Sequence, residues 1–523
     1  MTESQRIARA ASTIGMGTLM SRVLGFVRDM VIARFFGAGP AADAFFVAFR
    51  IPNLWRRLVG EGALTVSFIP VYSEYLDQRS EDETREFAHI AFTLAGLALL
   101  VLVLLGVAFS PLLVRMIAPG FIEVPEKFQL TVALNRIVFP YLFFMGLFAV
   151  SMGILNSLRH FFAPAIAPIF LNISMILSVL LFSRFFEEPV MALAVGVLAG
   201  GMIQLIFQVP FLKKRGFTFR FNFNFRHPGI KQVGSLMIPG VIGTAVYQLN
   251  VFIDTIFASF LPSGSVSYLF FADRLIEFPL GIFAIAIGMA SLPSLSGLAG
   301  QGRMDELSRT VSFTLRLVSF ISFPAMMGLI FLRTPIVYVL FERGHFDATA
   351  TAMTARALLC YSVGLWAIAG VRTLVPAFYS LQDAWTPLKI ALVCLLVNAV
   401  LNAILIFPLK HAGLALATSL SSILNLILLY RKLQSRLKSM DLKRNVMSLV
   451  QAFFCSLFMG FSAYLVCSIG DWSGEGQTLH KVGVLGVGVG AGIVTYFASS
   501  LLLRNEEALF LVRMMRERGF RSP

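Results

Sequence analysis

The sequence predicts an all-α polytopic membrane protein, on three observations: apolar runs of spanning length, few charges, and an internal repeat in which the rare intramembrane charges recur. The chain has 523 residues, 57% hydrophobic and only 14% charged, with mean hydropathy +0.80. A soluble globular protein is roughly half apolar and a quarter charged. The 43 basic and 28 acidic residues give a formal net charge of +15, which in a soluble chain would raise nucleic acid as a partner. Here the basic residues gather between apolar runs, so topology and anionic lipid account for them, and no nucleic-acid partner is expected.

A spanning helix needs about 20 mainly apolar residues. Fourteen segments meet that length, near 8–35, 44–75, 87–117, 129–157, 163–185, 190–212, 230–261, 265–298, 308–333, 350–379, 385–407, 411–433, 446–469 and 480–503. The first follows MTESQRIARAAS and continues past Arg22 without a small-residue cleavage site, so it reads as a retained helix. The second contains Pro52, expected to rotate its second half.

After the sixth segment, Lys213, Lys214, Arg215, Arg220, Arg226 and Lys231 crowd the connection. Within it FTFRFNFNFR, residues 217–226, alternates at period two, as a short strand or an amphipathic surface segment would. The seventh and eighth segments are joined by the uncharged SGSVS. Arg431, Lys432, Arg436, Lys438, Lys443 and Arg444 follow the twelfth, and Arg513, Arg516, Arg518 and Arg521 the fourteenth. The basic connections after the sixth, twelfth and fourteenth segments fall on the side of Arg6 and Arg9 while SGSVS lies on the other, basic-poor face, so the positive-inside rule puts both termini in the cytoplasm. In the fourteenth segment, Gly486 with Gly490 and Gly488 with Gly492 form GxxxG spacings, suited to close helix packing or a smooth groove for a lipid chain.

Asp29, Ala33, Phe35 and Gly39 match Asp254, Ala258, Phe260 and Gly264 at an offset of 225, and Phe46, Ala48 and Arg50 match Phe270, Ala272 and Arg274 at 224. At 223, Pro70 and Ser73 match Pro293 and Ser296, Ser157, Leu158 and Pro164 match Ser380, Leu381 and Pro387, and Ala192–Ala194 match Ala415–Ala417. Segments three and four contribute little to this match. Segments one to six and seven to twelve then form two copies of one lobe. Six is even, so the copies share an orientation about an axis along the membrane normal, and transporters built this way place substrate between the lobes. The expected divisions are 1–217, 218–440 and 441–523.

The charges follow the repeat. Segment one carries Arg22, Arg28 and Asp29; segment two Asp43, Arg50, Arg56, Arg57 and Glu61; segment seven Asp254; segment eight Asp273, Arg274 and Glu277. These are the first pairs of the two lobes, where a central cavity would be lined. Arg22 and Asp29, seven apart, lie only about 20° off one helical face, and Asp43, Arg50, Arg57 and Glu61 fall within about 40° of one stripe. Arg28 shares its face with Ser21 and Gly25, a small polar strip that a partner helix can approach closely. Mutual neutralisation of Arg57 with Glu61 or Arg274 with Glu277 is one reading, and snorkelling explains Arg34. Intramembrane ionisable groups are otherwise functional by default, and the predominance of arginine, whose guanidinium fork matches phosphate, points to an anionic, phosphate-bearing substrate.

No GxxxxGK[ST] run supplies ATP drive, the six histidines are scattered without HExxH or a nucleophile elbow, and nothing assembles an enzyme's triad or metal site. Cys360, Cys394, Cys455 and Cys467 lie in apolar stretches without metal spacing and read as packing residues.

SRVLGFVRD, GAGPAADAFFVAFRIPNLWRRLVGEGAL, SFIPVYSEY, FASFLPSGSVSYLFFADRLIEFPLGIF and YSLQDAWTPLKIA together resemble the MurJ (MviN) family of lipid II flippases, in the MOP transporter superfamily. The likeness runs from about residue 5 to 435 and weakens beyond. It implies fourteen helices, two six-helix lobes around a V-shaped cavity, and a terminal pair bordering a groove for the polyprenyl tail. It also implies alternating-access transfer of lipid II, the undecaprenyl-pyrophosphate-linked disaccharide pentapeptide, to the outer leaflet of the bacterial cytoplasmic membrane, alongside the peptidoglycan-synthesis machinery. Family positions important for function carry over onto Arg22, Arg28, Asp43, Asn53, Arg56, Arg274 and Glu277. Some members hold Na+ between segments seven and eleven; Asp254 and Asp383 stand where two acidic ligands would be, while Tyr379 occupies an amide ligand's position. The membrane potential is the other expected source of drive, at about 2.3 kcal/mol per charge per 100 mV. Export of another lipid-linked oligosaccharide or small molecule, and a non-transporting wall-synthesis scaffold, are the alternatives.

Overall fold

The structure is a computed structural model that describes residues 3–58, 65–437, 440–472 and 478–519; Glu61, Lys438 and Arg521 lie outside the described residues. Helices are the only regular secondary structure among the described residues, and the chain divides into two compact units, 1–267 and 268–523.

The first unit contains α1 (Glu3–Phe36), α2 (Pro40–Trp55), α3 (Thr65–Gln78), α4 (Glu81–Ala108), α5 (Ser110–Ile117), α6 (Pro125–Val138), α7 (Tyr141–Ser157), α8 (Phe162–Phe182), α9 (Met191–Lys214) and α10 (Pro228–Ser259). The ends follow local chemistry. α4 opens on a capping box in which Ser80 accepts from the Glu83 amide and Glu83 reaches back to the Ser80 amide. α2 carries Pro52 and gives way to π-helical residues 56–58, with the Arg56 amide donating to the Asn53 and Pro52 carbonyls, so the expected second span is broken after Trp55. The core of this unit packs Phe68, Tyr72, Tyr75 and Phe87 against Ile154, Leu155 and Leu212, and α10 packs on α3, α4 and α5.

The second unit takes most of α11 (Ser265–Pro279), then α12 (Ile285–Gly300), α13 (Met304–Phe331), α14 (Arg333–Phe341), α15 (Ala348–Ser362), α16 (Leu365–Ser380), α17 (Trp385–Leu409), α18 (His411–Arg436), α19 (Leu442–Cys467), α20 (Thr478–Leu502) and α21 (Glu506–Gly519). Its core joins Leu307, Val311 and Leu315 to Leu374, Phe378, Leu426 and Leu429.

The repeat is structural. α4 and α13 begin and end 223 residues apart, and every helix from α1 to α9 has its counterpart from α10 to α18. The pairs α4·α7, α5·α6, α7·α9 and α8·α9 recur as α13·α16, α14·α15, α16·α18 and α17·α18. Arg159 and Gln382, 223 apart, both turn the chain through φ 57° between equivalent helices. Segments three and four, nearly silent in sequence comparison, are therefore full members of the repeat: apolar identity drifts freely while length and packing persist.

Among the described residues, nine helical segments are long and apolar enough to cross a membrane, or ten if α15 and α16, bent by 43° at their junction, form one span. The other four expected segments are α1, α2–α3, α10 and α11–α12, the ones that carry the intramembrane charges. Residues 217–226 form no strand. They lie extended along α4, with Phe217 against His89 and Phe92 and the Asn222 amide donating to the Thr93 hydroxyl. Phe221, Phe223 and Phe225 point outward. Of the two readings of their alternation, the surface segment is correct: the Asn222 amide bonds to α4, and the Asn224 and Arg226 amides bond to the Asn222 and Asn224 side chains rather than to a second strand.

Candidate functional site

In the first unit the polar strip on α1 is used as its residue sizes suggest. Gly25 leaves room for α8 to bring Asn172 alongside, where the Asn172 amide donates to the Ser21 carbonyl at 3.1 Å and its oxygen accepts from Arg28 Nη1 at 3.0 Å. The other edge of the Arg28 guanidinium grips Asp29 Oδ1 through Nε at 2.9 Å and Nη2 at 2.7 Å. Asp29 is 2% exposed. Arg22, one face-repeat earlier and half-buried, has no ion-pair or hydrogen-bond partner among the described residues. Arg28 is thus already neutralised, whereas Arg22 has no anion beside it among the described residues.

α2 carries a second set. Asp43 is 1% exposed and accepts from Lys127 Nζ at 2.8 Å, the Gly264 amide at 2.7 Å, the Ser267 amide at 2.9 Å and the Ser267 hydroxyl at 2.6 Å. It therefore caps the first turn of α11 from a distant part of the chain and fills its own acceptors in doing so. Lys127 also sits 4.0 Å above the Phe121 ring. Two turns on from Asp43, Arg50 donates to the Thr255 hydroxyl. Asn53 and Arg56 are brought together, with Arg56 Nε donating to Asn53 Oδ1 at 2.9 Å. Lys127, Asn172 and Thr255 are additions that the intramembrane-charge criterion missed, because two are uncharged and Lys127 sits before the fourth expected span.

In the second unit, Arg274 lies over the Phe270 ring at 4.9 Å, and Glu277 pairs with Arg372 Nη2 at 3.1 Å. Arg372 Nη1 is buried without a hydrogen-bond partner. It is the single charge of α16 and could have been found on that ground alone. Asp383, between α16 and α17, accepts from the Thr386 amide and hydroxyl and from Arg436 at 2.6 Å. The Thr386 hydroxyl first, and then its amide and Arg436, hold the Asp383 carboxyl below the usual carboxylate range.

These residues do not fit a bare cation. A guanidinium already neutralises Asp383, Tyr379 offers an exposed hydroxyl and no amide oxygen, and the described residues contain no cluster of three or more metal-ligating side chains. Asp254 is half-buried in the first unit.

α19 and α20 resolve the two readings of the glycine run. A Cβ on Gly488 would meet Cys467 Sγ at 2.5 Å and one on Gly492 would meet Met459 at 3.3 Å, whereas Gly486 and Gly490 have nothing within 4 Å. One face is close packing and the other is a smooth, open surface. At the end of the pair, α21 is anchored by Glu507, which accepts from Arg316 Nε at 2.7 Å and the Ser448 hydroxyl at 2.9 Å.

The family described as "Lipid II flippase MurJ" matches residues 32–478. The chain is 37% identical over 511 residues to a probable lipid II flippase MurJ of Vibrio cholerae serotype O1, covering 96% of this chain and 97% of that one. It is 39% identical over 432 residues to a lipid II flippase MurJ of Burkholderia cenocepacia, covering 82% and 84%. Among solved structures it is similar to a lipid II flippase MurJ in an inward closed conformation, with TM-score 0.78 and 28% identity over 94% of this chain and 98% of that chain. An inward-facing multidrug-resistance MATE transporter of the MOP superfamily shares the fold alone, at TM-score 0.64 and 16% identity over 82% and 98%. The chain belongs to the MurJ lipid II flippase family.

Proposed function

We propose that this protein moves lipid II from the inner to the outer leaflet by alternating access, with its intramembrane arginines receiving the pyrophosphate and the sugar-peptide headgroup. The observation that carries this reading is Arg22, half-buried on a membrane helix without a partner among the described residues while Arg28 on the same helix is neutralised by Asp29. A guanidinium kept in that state is stabilised by an incoming anion, and a diphosphate offers the bidentate match.

Arg28, Asn53, Arg56 and Arg274 complete the anion-binding set, with Glu277 tempering Arg372. Asp43 enters by positioning the start of α11. The open face at Gly486 and Gly490 on α20 accommodates the polyprenyl chain. The functional divisions are 1–217, 218–440 and 441–523, with fourteen spans in the cytoplasmic membrane, both termini cytoplasmic and the enzymes of peptidoglycan synthesis as partners. The chemistry is transport without bond making. Drive comes from the membrane potential acting on net charge moved in the cycle, and no step is assigned to Na+.

The test is lipid II accessibility at the outer leaflet of cells with and without the protein. Depletion is expected to remove the signal. An unchanged signal would leave a scaffold or a different cargo as the better reading.

A further inference from the structure

We infer that the cytoplasmic ends of α17 and α18 form a binding site for an anionic glycerophospholipid, separate from the lipid II path and from the α19–α20 groove. A cavity of about 580 Å³ lies there, lined by Thr386, Lys389, Ile390, Leu428, Arg431 and Lys432. Three cations from two helices line it, and none of the three side chains has an ion pair or hydrogen bond among the described residues. No carboxylate is among the lining residues, and Asp383, which accepts from the lining Thr386, is itself neutralised by Arg436.

The walls decide the class of anion. On α17, Lys389 continues toward the membrane interior as exposed Leu392, Val393, Leu396 and Val400, spaced along one helical face. On α18, Arg431 continues as exposed Ile427 and Leu420. A basic rim opening onto two apolar stripes between tightly packed helices fits a phosphodiester headgroup with its acyl chains alongside. A soluble anion would use the rim alone. Basic pockets between membrane helices on the cytoplasmic face recognise anionic headgroups in this way. The indole of Trp385 is exposed at the same level, as an interfacial anchor would be.

The experiment uses the full chain in phosphatidylcholine nanodiscs doped with phosphatidylglycerol, with lipid retention read by native mass spectrometry after release. Lys389→Gln/Arg431→Gln/Lys432→Gln is expected to weaken phosphatidylglycerol retention about a hundredfold, as loss of three near-surface cations implies. Lys213→Gln/Lys214→Gln/Arg215→Gln, which removes equal charge at the end of α9, is expected to leave it within about twofold. The conservative Lys389→Arg/Lys432→Arg is expected to retain binding. Equal loss in both triple variants would reduce the site to general surface charge and overturn the proposal. Displacement of the lipid by inorganic phosphate at matching concentration would overturn the phospholipid assignment, and undiminished retention in the first variant would overturn the site itself.

Discussion

Asp43 and Lys127, 84 residues apart in sequence, form an ion pair at 2.8 Å in which both side chains are at least 95% buried. The same carboxylate holds the first turn of α11 through Gly264 and Ser267. Removing one member of a buried pair leaves an uncompensated charge, at a typical cost of about 3–5 kcal/mol. Lys127→Met is expected to lower the thermal midpoint of the purified protein sharply. Asp43→Asn/Lys127→Met is expected to recover part of the loss, because no buried charge is left unpaired and the side-chain amide oxygen still accepts from Ser267. Additive losses in the double-mutant cycle would show that the pair is not coupled.

Arg28→Ala and Arg274→Ala are expected to abolish complementation of a flippase-depleted cell while the protein still accumulates in the membrane. Arg22→Ala should match them in function with a smaller effect on thermal stability, since Arg22 has no partner to orphan among the described residues whereas loss of Arg28 takes the cation from buried Asp29. Normal growth with Arg22→Ala would remove it from the substrate site.

Arg372→Ala leaves Glu277 without the cation now 3.1 Å away, and Arg372→Lys keeps the charge but loses the planar fork. Complementation is expected to fail in the first and fall in the second. Full activity in Arg372→Ala would confine the residue to a packing role.

The two glycine faces of α20 separate folding from function. Gly488→Val drives a side chain into Cys467, where Cβ alone already falls within 2.5 Å, and is expected to destabilise by about 1–3 kcal/mol. Gly486→Leu projects into open space and is expected to leave the midpoint within about 0.5 kcal/mol while impairing complementation by roughening the proposed tail groove. Equal loss of stability in both would contradict the assignment of faces.

Asp383 has its folded-state pKa depressed by Thr386 and Arg436. Its contribution to stability is therefore complete above the ordinary unfolded carboxylate value, near 3.9, and is lost as pH falls through the lower folded value. Asp383→Asn is expected to reduce the midpoint at neutral pH and to flatten its decline on acidification. A wild-type and variant difference constant down to pH 2 would exclude the linkage.

Much of the architecture was legible in residue order. Apolar length forecast the helices, and matches such as Asp29 with Asp254 and Pro164 with Pro387 announced a repeat that the helix boundaries reproduce. These features are written locally or by duplication, so composition and self-comparison suffice. The small strip of Ser21, Gly25 and Arg28 even forecast where a helix would approach, because the absence of a Cβ is a property of the residue itself.

The partners were decided by tertiary structure. Asp29 stood in register with Arg22 by helical angle and closes on Arg28; Glu277, one turn from Arg274, receives Arg372 from α16; Asp43 meets Lys127 and the start of α11. Periodicity says which face a charge occupies but not which helix is packed and rotated against that face. In a membrane interior the cost of an uncompensated charge makes that packing decisive, so the sequence alone determined that these charges must be satisfied, and the fold determined by whom.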